Sequence, residues 1–240
     1  MKRVVFLMLC SLSLLAMAAQ GDVTTLIAVE DTYVDSVDSS GSGITGSETE
    51  LSIQGYAPGF RSLESYQASY LKFDLSDIPD NAVITGAVFG IYYSGQNTGL
   101  YSAADPYAYL HYVGSDAWSE GSLNWNDADT LNVDNQAIED ESKPMPDEDE
   151  AIEWDLFSGV GFNWTNWQDD LEDNYISLLM TVEDMDINNY ANFYSSEYDI
   201  ESMRPYLNLT YSVVPEPTSM TLVLVGLSGY LTAKRRKHSR

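Results

Sequence analysis

Short stretches in which apolar and polar residues alternate run through most of this chain. In the clearest one, Leu71, Phe73 and Leu75 alternate with polar neighbours and are followed by a turn at 78–81 and a second stretch at 82–93. Alternation with a period of two predicts β-strands with one buried face, and the proline and asparagine of the turn favour a chain reversal. We therefore predict a hairpin at the centre of an antiparallel core. Its second strand buries Ala87, Phe89, Ile91 and Tyr93.

Similar short strands recur along the chain, with turn residues between them and almost no helical periodicity. One short helix is predicted at 162–171, because Trp164, Trp167 and Leu171 recur at helical spacing. This pattern predicts an all-β fold, an antiparallel β-sandwich of the jelly-roll type, over residues 20–213. The other predicted strands are 26–34, 50–56, 107–113, 152–157, 175–182, 191–197 and 206–213.

The start of the chain, residues 1–19, differs from this body. Two cations, an apolar run and the small residues Ala16 and Ala18 follow in the order of a secretory signal peptide. We expect a signal-peptide helix that is cleaved near Ala19. The single cysteine, Cys10, lies within it, so a cysteine nucleophile and a disulfide scaffold are excluded for the mature chain.

The end of the chain, residues 214–240, also differs. An apolar stretch at 219–233 is followed by a basic cluster that includes Arg235 and Arg236. Apolar residues followed by cations are typical of a membrane segment whose positive end stays in the cytoplasm. We expect a short transmembrane helix here.

Acidic residues dominate the charge. The chain has 37 Asp and Glu against 11 Lys and Arg, and a formal net charge of −26. Most of the cations lie in the two terminal segments, so the body is strongly negative and nucleic acid is excluded as a partner. A charged, proline-containing insertion at 134–150 is predicted to be an exposed loop.

The C-terminal segment resembles the PEP-CTERM sorting signal of Gram-negative bacteria. The resemblance rests on Pro215, Glu216 and Pro217, the apolar segment that follows and the arginine-rich end. It implies transient inner-membrane anchoring and processing near 215–217 by an exosortase-type sorting enzyme. It also implies export to the cell envelope, outer surface or extracellular matrix.

The body resembles the DNRLRE domain, which is carbohydrate-binding module family 96. The carriers include 31–34, 69–75, 79–91, 118–126, 195–197 and 204–209. The chain departs from the family pattern at the 134–150 insertion and at 127–129. The resemblance implies a β-sandwich that binds acidic or neutral polysaccharide without catalysing a reaction.

Exposed aromatic rings are the candidate carbohydrate-binding residues, because the faces of aromatic rings pack on the CH groups of sugars. The alternative is that the same rings fill the core. The candidates are Trp118, Trp125, Tyr92, Tyr107 and Tyr109.

Calcium is a possible cofactor, because hard cations take several oxygen ligands and the body is rich in carboxylates. The alternative for most of these acids is a solvated surface. Glu120 and Glu197 could also close a site across strands. The main candidate ligands are Glu30, Asp31, Asp35, Asp127, Asp129, Asp184, Asp186 and Asn188.

Taken together, these features predict an exported, non-catalytic cell-surface or matrix protein that binds polysaccharide. One alternative is a structural or adhesive matrix protein without a specific glycan. A polysaccharide lyase or hydrolase is the third, although His111 is the only histidine of the body and no carboxylate pair stands out.

Overall fold

The computed structural model describes residues 21–36, 48–54, 66–95, 107–128, 131, 133–137, 143–157, 164–182 and 190–213. These residues form strands and a few short helices. The strands are β1 (Asp22–Ile27), β2 (Glu30–Asp35), β3 (Glu50–Gln54), β4 (Gln67–Asp74), β5 (Ala82–Gly95), β6 (Tyr107–Val113), β7 (Val133–Ala137), β8 (Lys143–Pro144), β9 (Ala151–Asp155), β10 (Tyr175–Val182), β11 (Tyr190–Tyr194) and β12 (Tyr206–Val213). The helices are α1 (Trp125–Ala128), α2 (Trp164–Asp173) and a 3₁₀ turn at Glu201–Met203.

The strand pairs of the described residues are all antiparallel, which confirms the predicted all-β antiparallel class. The strands form one curled sheet in the order β1-β12-β5-β11-β3-β4-β10-β6-β7. Three more strands flank this path: β2 beside β4, β8 beside β6 and β9 beside β5. A single bridge, Gln54 to Gln67, joins β3 to β4 and marks the point where the sheet turns.

The main core lies inside this curl. The alternating apolar residues of each strand point inward, and Phe73, Phe89 and Trp154 are fully buried. The ring of Phe89 lies edge-on to Phe73, with centroids 5.9 Å apart, and stacks on Trp154 at 5.7 Å. Aromatic pairs of this kind add to the stabilisation from area burial.

The predicted hairpin at 70–93 is wrong, although both of its strands exist. β4 pairs with β2, β3 and β10, whereas β5 pairs with β9, β11 and β12. The turn is present, with Ala82 N donating to Pro79 O at 2.7 Å. It carries the chain across the core, so the apolar faces of the two strands meet each other, as the Phe73–Phe89 contact shows. Periodicity identifies the buried face of a strand but not its hydrogen-bonding partner.

The polar face of β4 is also buried, which the alternation did not predict. Residues 114–128 cross over this face and bury Tyr70 and Lys72 beneath Trp118 and Leu123. We call this the covered face. A second apolar cluster therefore lies on the outer side of β4, β6 and β10.

Several element boundaries differ from the predictions. The strand predicted at 26–34 is two strands, because the chain leaves β1 at Ala28 and enters β2 at Glu30. The insertion at 134–150, expected to be a loop, contributes β7 and β8, which both pair with β6. The predicted helix at 162–171 is α2.

Both terminal segments, with Ala16, Ala18, Pro215, Glu216, Pro217, Arg235 and Arg236, lie outside the described residues. In the part of the chain that the structure describes, no helix has the length and apolar character needed to cross a membrane.

Candidate functional site

A polar groove lies where the sheet curls from β3 to β4. In β3 the alternation turns Leu51 and Ile53 into the core and leaves Ser52 on the outer side. On β11, Asn192 pairs with Ser52 across the ladder and shares its outward direction. Strands β3 and β11 thus supply one side of the groove with polar side chains.

Strands β2 and β4 supply the other side, through Tyr33 and Gln67. The groove has a volume of about 360 Å³, which lies within the usual range of small-ligand sites. Leu51, whose side chain points into the core, also borders the groove. The polar lining residues are Glu48, Glu50, Ser52, Gln54, Gln67 and Asn192.

A chain of hydrogen bonds holds Gln67 in place. Ser52 Oγ donates to Gln67 Oε1 at 2.7 Å, and Gln67 Nε2 donates to Asp35 Oδ2 at 2.9 Å. Ser69 Oγ also donates to the Ser52 carbonyl oxygen at 2.7 Å and ties β3 to β4. A polar group that is already oriented loses less conformational entropy when it binds a ligand.

The Tyr33 hydroxyl stays protonated at neutral pH. Burial raises its pKa above the ordinary value, and the negative charges of Glu48 and Asp35 raise it further. Tyr33 therefore offers the groove a hydrogen-bond donor beside carboxylate and amide acceptors. Donors and acceptors set around a concave surface can bind a molecule rich in hydroxyl groups.

Sequence reasoning missed this groove. The outward residues of β3 and β11 are ordinary polar residues, and only the curl of the sheet brings them near Tyr33 and Gln67. The one available signal was the alternation in 50–54, which predicts outward side chains on Glu50, Ser52 and Gln54.

Trp118 lies in the apolar cluster of the covered face, as expected if this ring fills the core and does not bind sugar. It is 7% exposed, its ring lies 6.0 Å from that of Tyr70, and the Lys72 ammonium lies 4.4 Å from its centroid. Its Nε1 donates to Ser177 Oγ at 3.0 Å. A sugar cannot stack on a ring that is enclosed in this way.

The other candidate aromatics do not form one face. Trp125, in α1, is half-buried against Tyr66, with ring centroids 5.2 Å apart. Tyr92 lies on β5 and Tyr109 on β6, and these strands do not pair. Tyr107 begins β6, but its side chain lies outside the described residues.

Tyr92 belongs to an aromatic face on the outer side of β5, β9 and β12, together with Tyr206 and Glu153. The ring of Tyr206 lies directly over Gly90, where an added Cβ would be only 2.2 Å from Tyr206 Cζ. Its hydroxyl donates to Glu153 Oε1 at 2.6 Å, and its centroid lies 6.3 Å from that of Tyr92. Glycine leaves room for the tyrosine ring, because an added methyl group at this position would force the ring to move.

The calcium candidates in β2 each have a protein partner. Glu30 accepts from Lys72 Nζ at 3.3 Å and from Glu120 N at 3.1 Å. Asp31 Oδ2 accepts from Ser196 N at 2.7 Å, and Asp35 holds Gln67.

Among the described residues, no group of three or more His, Cys, Asp or Glu side chains is arranged to hold a metal ion. Asp127, in α1, accepts a hydrogen bond from Asn124 Nδ2. Asp129, Asp184, Asp186 and Asn188 lie outside the described residues, so calcium binding stays a prediction.

Carboxyl groups crowd together beside Trp118. Burial raises the pKa of Asp31 well above its ordinary value, and the charge of Glu197 raises it further. The pKa of Glu120 is raised first by burial and then by Glu197. One oxygen of Glu120 and one of Glu197 are buried without a hydrogen-bond partner. This arrangement favours a proton held between the carboxyl groups.

Asp170 in α2 is a second buried acid. It is 1% exposed, and burial raises its pKa to about 8. Tyr112 OH donates to Asp170 Oδ1 at 2.6 Å. Sequence reasoning could not find this pair, because Asp170 lies in a run of acids that is typical of a solvated helix surface.

A comparison with known protein families assigns the chain to one of them. Residues 22–211 match carbohydrate-binding module family 96. The chain belongs to this family. The match covers all of the described strands up to Tyr211 and confirms the resemblance of the body to this family. A search of curated proteins gave no match.

Proposed function

We propose that this member of carbohydrate-binding module family 96 binds polysaccharide in the polar groove, without catalysing a reaction. The main support is a groove of about 360 Å³. Its lining includes the polar residues Tyr33, Ser52, Gln67 and Asn192. Family membership supplies the class of ligand. The groove supplies oriented polar groups that suit hydroxyl-rich sugars.

The shape and polar lining of the groove favour it over the candidate sites built on aromatic residues. Trp118 is enclosed, and on the aromatic face of Tyr92 and Tyr206 the Glu153 carboxylate already accepts a hydrogen bond from Tyr206. A concave site buries more of a sugar chain than a flat one does. It also offers more positions for hydrogen bonds.

A matched pair of asparagine variants tests this assignment. Asn192 lies in the groove on β11, whereas Asn208 is a half-buried asparagine on β12, where its Oδ1 accepts from Thr25 Oγ1. The measurement is titration calorimetry of the glycan that a polysaccharide array identifies. We expect Asn192→Ala to weaken binding about tenfold, as loss of a hydrogen bond to the ligand would. Asn208→Ala should leave affinity unchanged, and equal losses in both variants would overturn the assignment.

We further propose that the protein works outside the cytoplasm, at the cell surface or in the extracellular matrix. The signal-like residues 1–19 and the sorting-like residues 214–240 support this part of the proposal. Fractionation of cells that express the chain, with and without residues 214–240, tests it. Retention of both forms in the cytoplasm would contradict it.

Calcium remains part of the proposal only as a stabilising ion. The acidic body and the candidates at 184–188 support it. The test is thermal unfolding in the presence of calcium and in the presence of a chelator. Identical melting temperatures would contradict stabilisation by calcium.

A further inference from the structure

One turn is hydrogen-bonded to both sides of the groove. It comprises residues 195–197, directly after β11, and we call it the clamp turn. Ser195, its first residue, is 0% exposed. Ser195 Oγ donates to the Glu48 carbonyl oxygen at 2.5 Å, and Ser195 N donates to the Thr49 carbonyl oxygen at 3.2 Å. These bonds extend the contact between β11 and β3 beyond their ladder, so the turn holds Glu48, which lines the groove.

The clamp turn is also fastened to β2, which carries Tyr33 on the opposite side of the groove. Ser196 N donates to Asp31 Oδ2 at 2.7 Å, and Asp31 is 2% exposed. Asp31 and Tyr33 share one face of β2, because side chains two residues apart in a strand point in the same direction. The turn therefore connects a residue on each side of the groove through hydrogen bonds.

This connection matters because the backbone joins the two sides at one point only. Among the described residues, β3 and β4 share the single bridge between Gln54 and Gln67. The bridge lies at the last residue of β3, whereas Glu48 lies before its first residue. One bridge fixes the spacing of two strands at a single position. The Glu48 end of the groove lies away from that position and is held by the clamp turn.

We propose that the clamp turn sets the spacing between Glu48 and Tyr33, and that Ser195 and Asp31 are positioning residues for the glycan. This inference rests on the proposed function and deepens it. Ser195 and Asp31 are buried, so they act through the two lining residues and not by touching the sugar. Polar groups that are held at a fixed separation lose less conformational entropy when they bind a ligand.

A matched pair of serine variants tests the role of Ser195. Ser177, on β10 at the covered face, is also 0% exposed. Each hydroxyl oxygen donates one hydrogen bond and accepts another, with Glu48 and Glu197 for Ser195 and with Asp116 and Trp118 for Ser177. The measurement is titration calorimetry of the purified full chain with the glycan that a polysaccharide array identifies. Ser195→Ala should weaken binding about fivefold, and Ser177→Ala should leave affinity unchanged.

Two substitutions of Asp31 separate positioning from the loss of a charge. Asp31→Ala removes the acceptor of the Ser196 amide hydrogen and should weaken binding about fivefold. Asp31→Asn loses the same charge but keeps a side-chain oxygen for this bond. Its amide group can also donate to the Glu197 oxygen that is buried without a hydrogen-bond partner. This conservative variant should bind within about twofold of wild type.

Hydrogen exchange of the clamp turn gives a readout that needs no ligand. Amides at 195–198 should exchange about fivefold faster in Ser195→Ala, where the Glu197 amide loses its acceptor. The same increase is expected in Asp31→Ala, where the Ser196 amide loses its acceptor. Ser177→Ala and Asp31→Asn should keep the wild-type exchange in this segment.

The outcomes separate the inference from the proposed function. Faster exchange of the turn with unchanged affinity would overturn the inference and leave polysaccharide binding in place. Equal losses of affinity in Ser195→Ala and Ser177→Ala would also overturn it, because affinity would then follow overall stability. Unchanged exchange in both Ser195→Ala and Asp31→Ala would show that these bonds do not hold the turn. If the wild-type protein bound no glycan on a broad array, the proposed function would fail together with the positioning role.

Discussion

The covered face and the polar groove both use strand β4, yet they use its polar residues in opposite ways. On the covered face, Lys72 is 4% exposed and is satisfied by Glu30 and the Trp118 carbonyl. In the groove, Gln67 is only half-buried and is oriented by Ser52 and Asp35. One end of the strand therefore stabilises the fold, whereas the other end presents oriented groups to solvent.

The difference shows what decides the role of a polar or aromatic side chain. Residues 114–128 lie over one part of the sheet and enclose Trp118, which is therefore a core residue and not a sugar-binding platform. At the groove, Ser52 and Asn192 are only half-buried, so their polar groups are partly exposed to solvent. Substitutions in the two regions should therefore separate effects on stability from effects on binding.

The largest effect is expected from Trp118→Ala. Loss of a buried tryptophan that contacts Tyr70, Lys72 and Ser177 should lower the free energy of unfolding by about 3–5 kcal/mol. The half-buried Trp125→Ala is the matched control, with an expected loss of roughly 1–2 kcal/mol. Urea denaturation measures both. If the folded Trp118 variant bound glycan more weakly, the covered face would take part in binding. This result would contradict the division between a stabilising face and a binding groove.

The second effect concerns pH and Asp170. Its pKa of about 8 in the folded protein lies above the ordinary aspartate value near 4, so the folded state keeps a proton that the unfolded chain releases between these values. Stability should therefore be highest at low pH and fall as pH rises through about 4 to 8. The Asp170 contribution to this loss is about 6 kcal/mol as an upper limit.

Asp170→Asn should remove the part of this slope that comes from Asp170 and make the variant more stable than wild type at pH 9, while the raised pKa values of Asp31 and Glu120 keep their own contributions. Its amide oxygen can still accept the Tyr112 hydroxyl hydrogen. Asp169→Asn, at an exposed position in the same helix, is the control and should keep the wild-type slope. Denaturation between pH 4 and 9 gives both profiles. Parallel profiles for wild type and Asp170→Asn would contradict the assignment.

A smaller effect is expected from Gly90→Ala on the aromatic face. The new methyl group would meet the ring of Tyr206, which must move away and lose its bond to Glu153. The expected loss of stability is about 1–2 kcal/mol. Glycan affinity should not change if binding occurs in the groove. Loss of affinity in this variant, measured by calorimetry, would move the site to the aromatic face.

The smallest effect on stability is expected from Ser52→Ala. This change removes the hydroxyl that orients Gln67 but leaves the Gln67–Asp35 bond in place. Glycan affinity should fall about fivefold, which corresponds to about 1 kcal/mol, while stability changes by less than that. Ser69→Ala is the control, because its hydroxyl bonds the Ser52 carbonyl from a buried position. It should lower stability and leave affinity nearly unchanged, and the reverse pattern would contradict this account of the groove.

The sequence by itself determined the all-β antiparallel class, the core-facing residues of the central strands and the family. The inward residues of β4 and β5 are buried as their alternation predicts, because a period of two follows from the geometry of an extended chain. The motifs of the body were enough to recognise family 96. These properties depend on neighbours along the chain, which the sequence displays directly.

Only the tertiary structure decided strand partners and the positions of the candidate sites. Whether β4 pairs with β5, and whether Trp118 faces solvent, depends on segments far apart in the sequence. The groove shows the same limit, because Tyr33, Ser52, Gln67 and Asn192 come from four strands and meet only where the sheet curls. Long-range pairing is set by how all the apolar faces can be buried at once, and no local pattern encodes that solution.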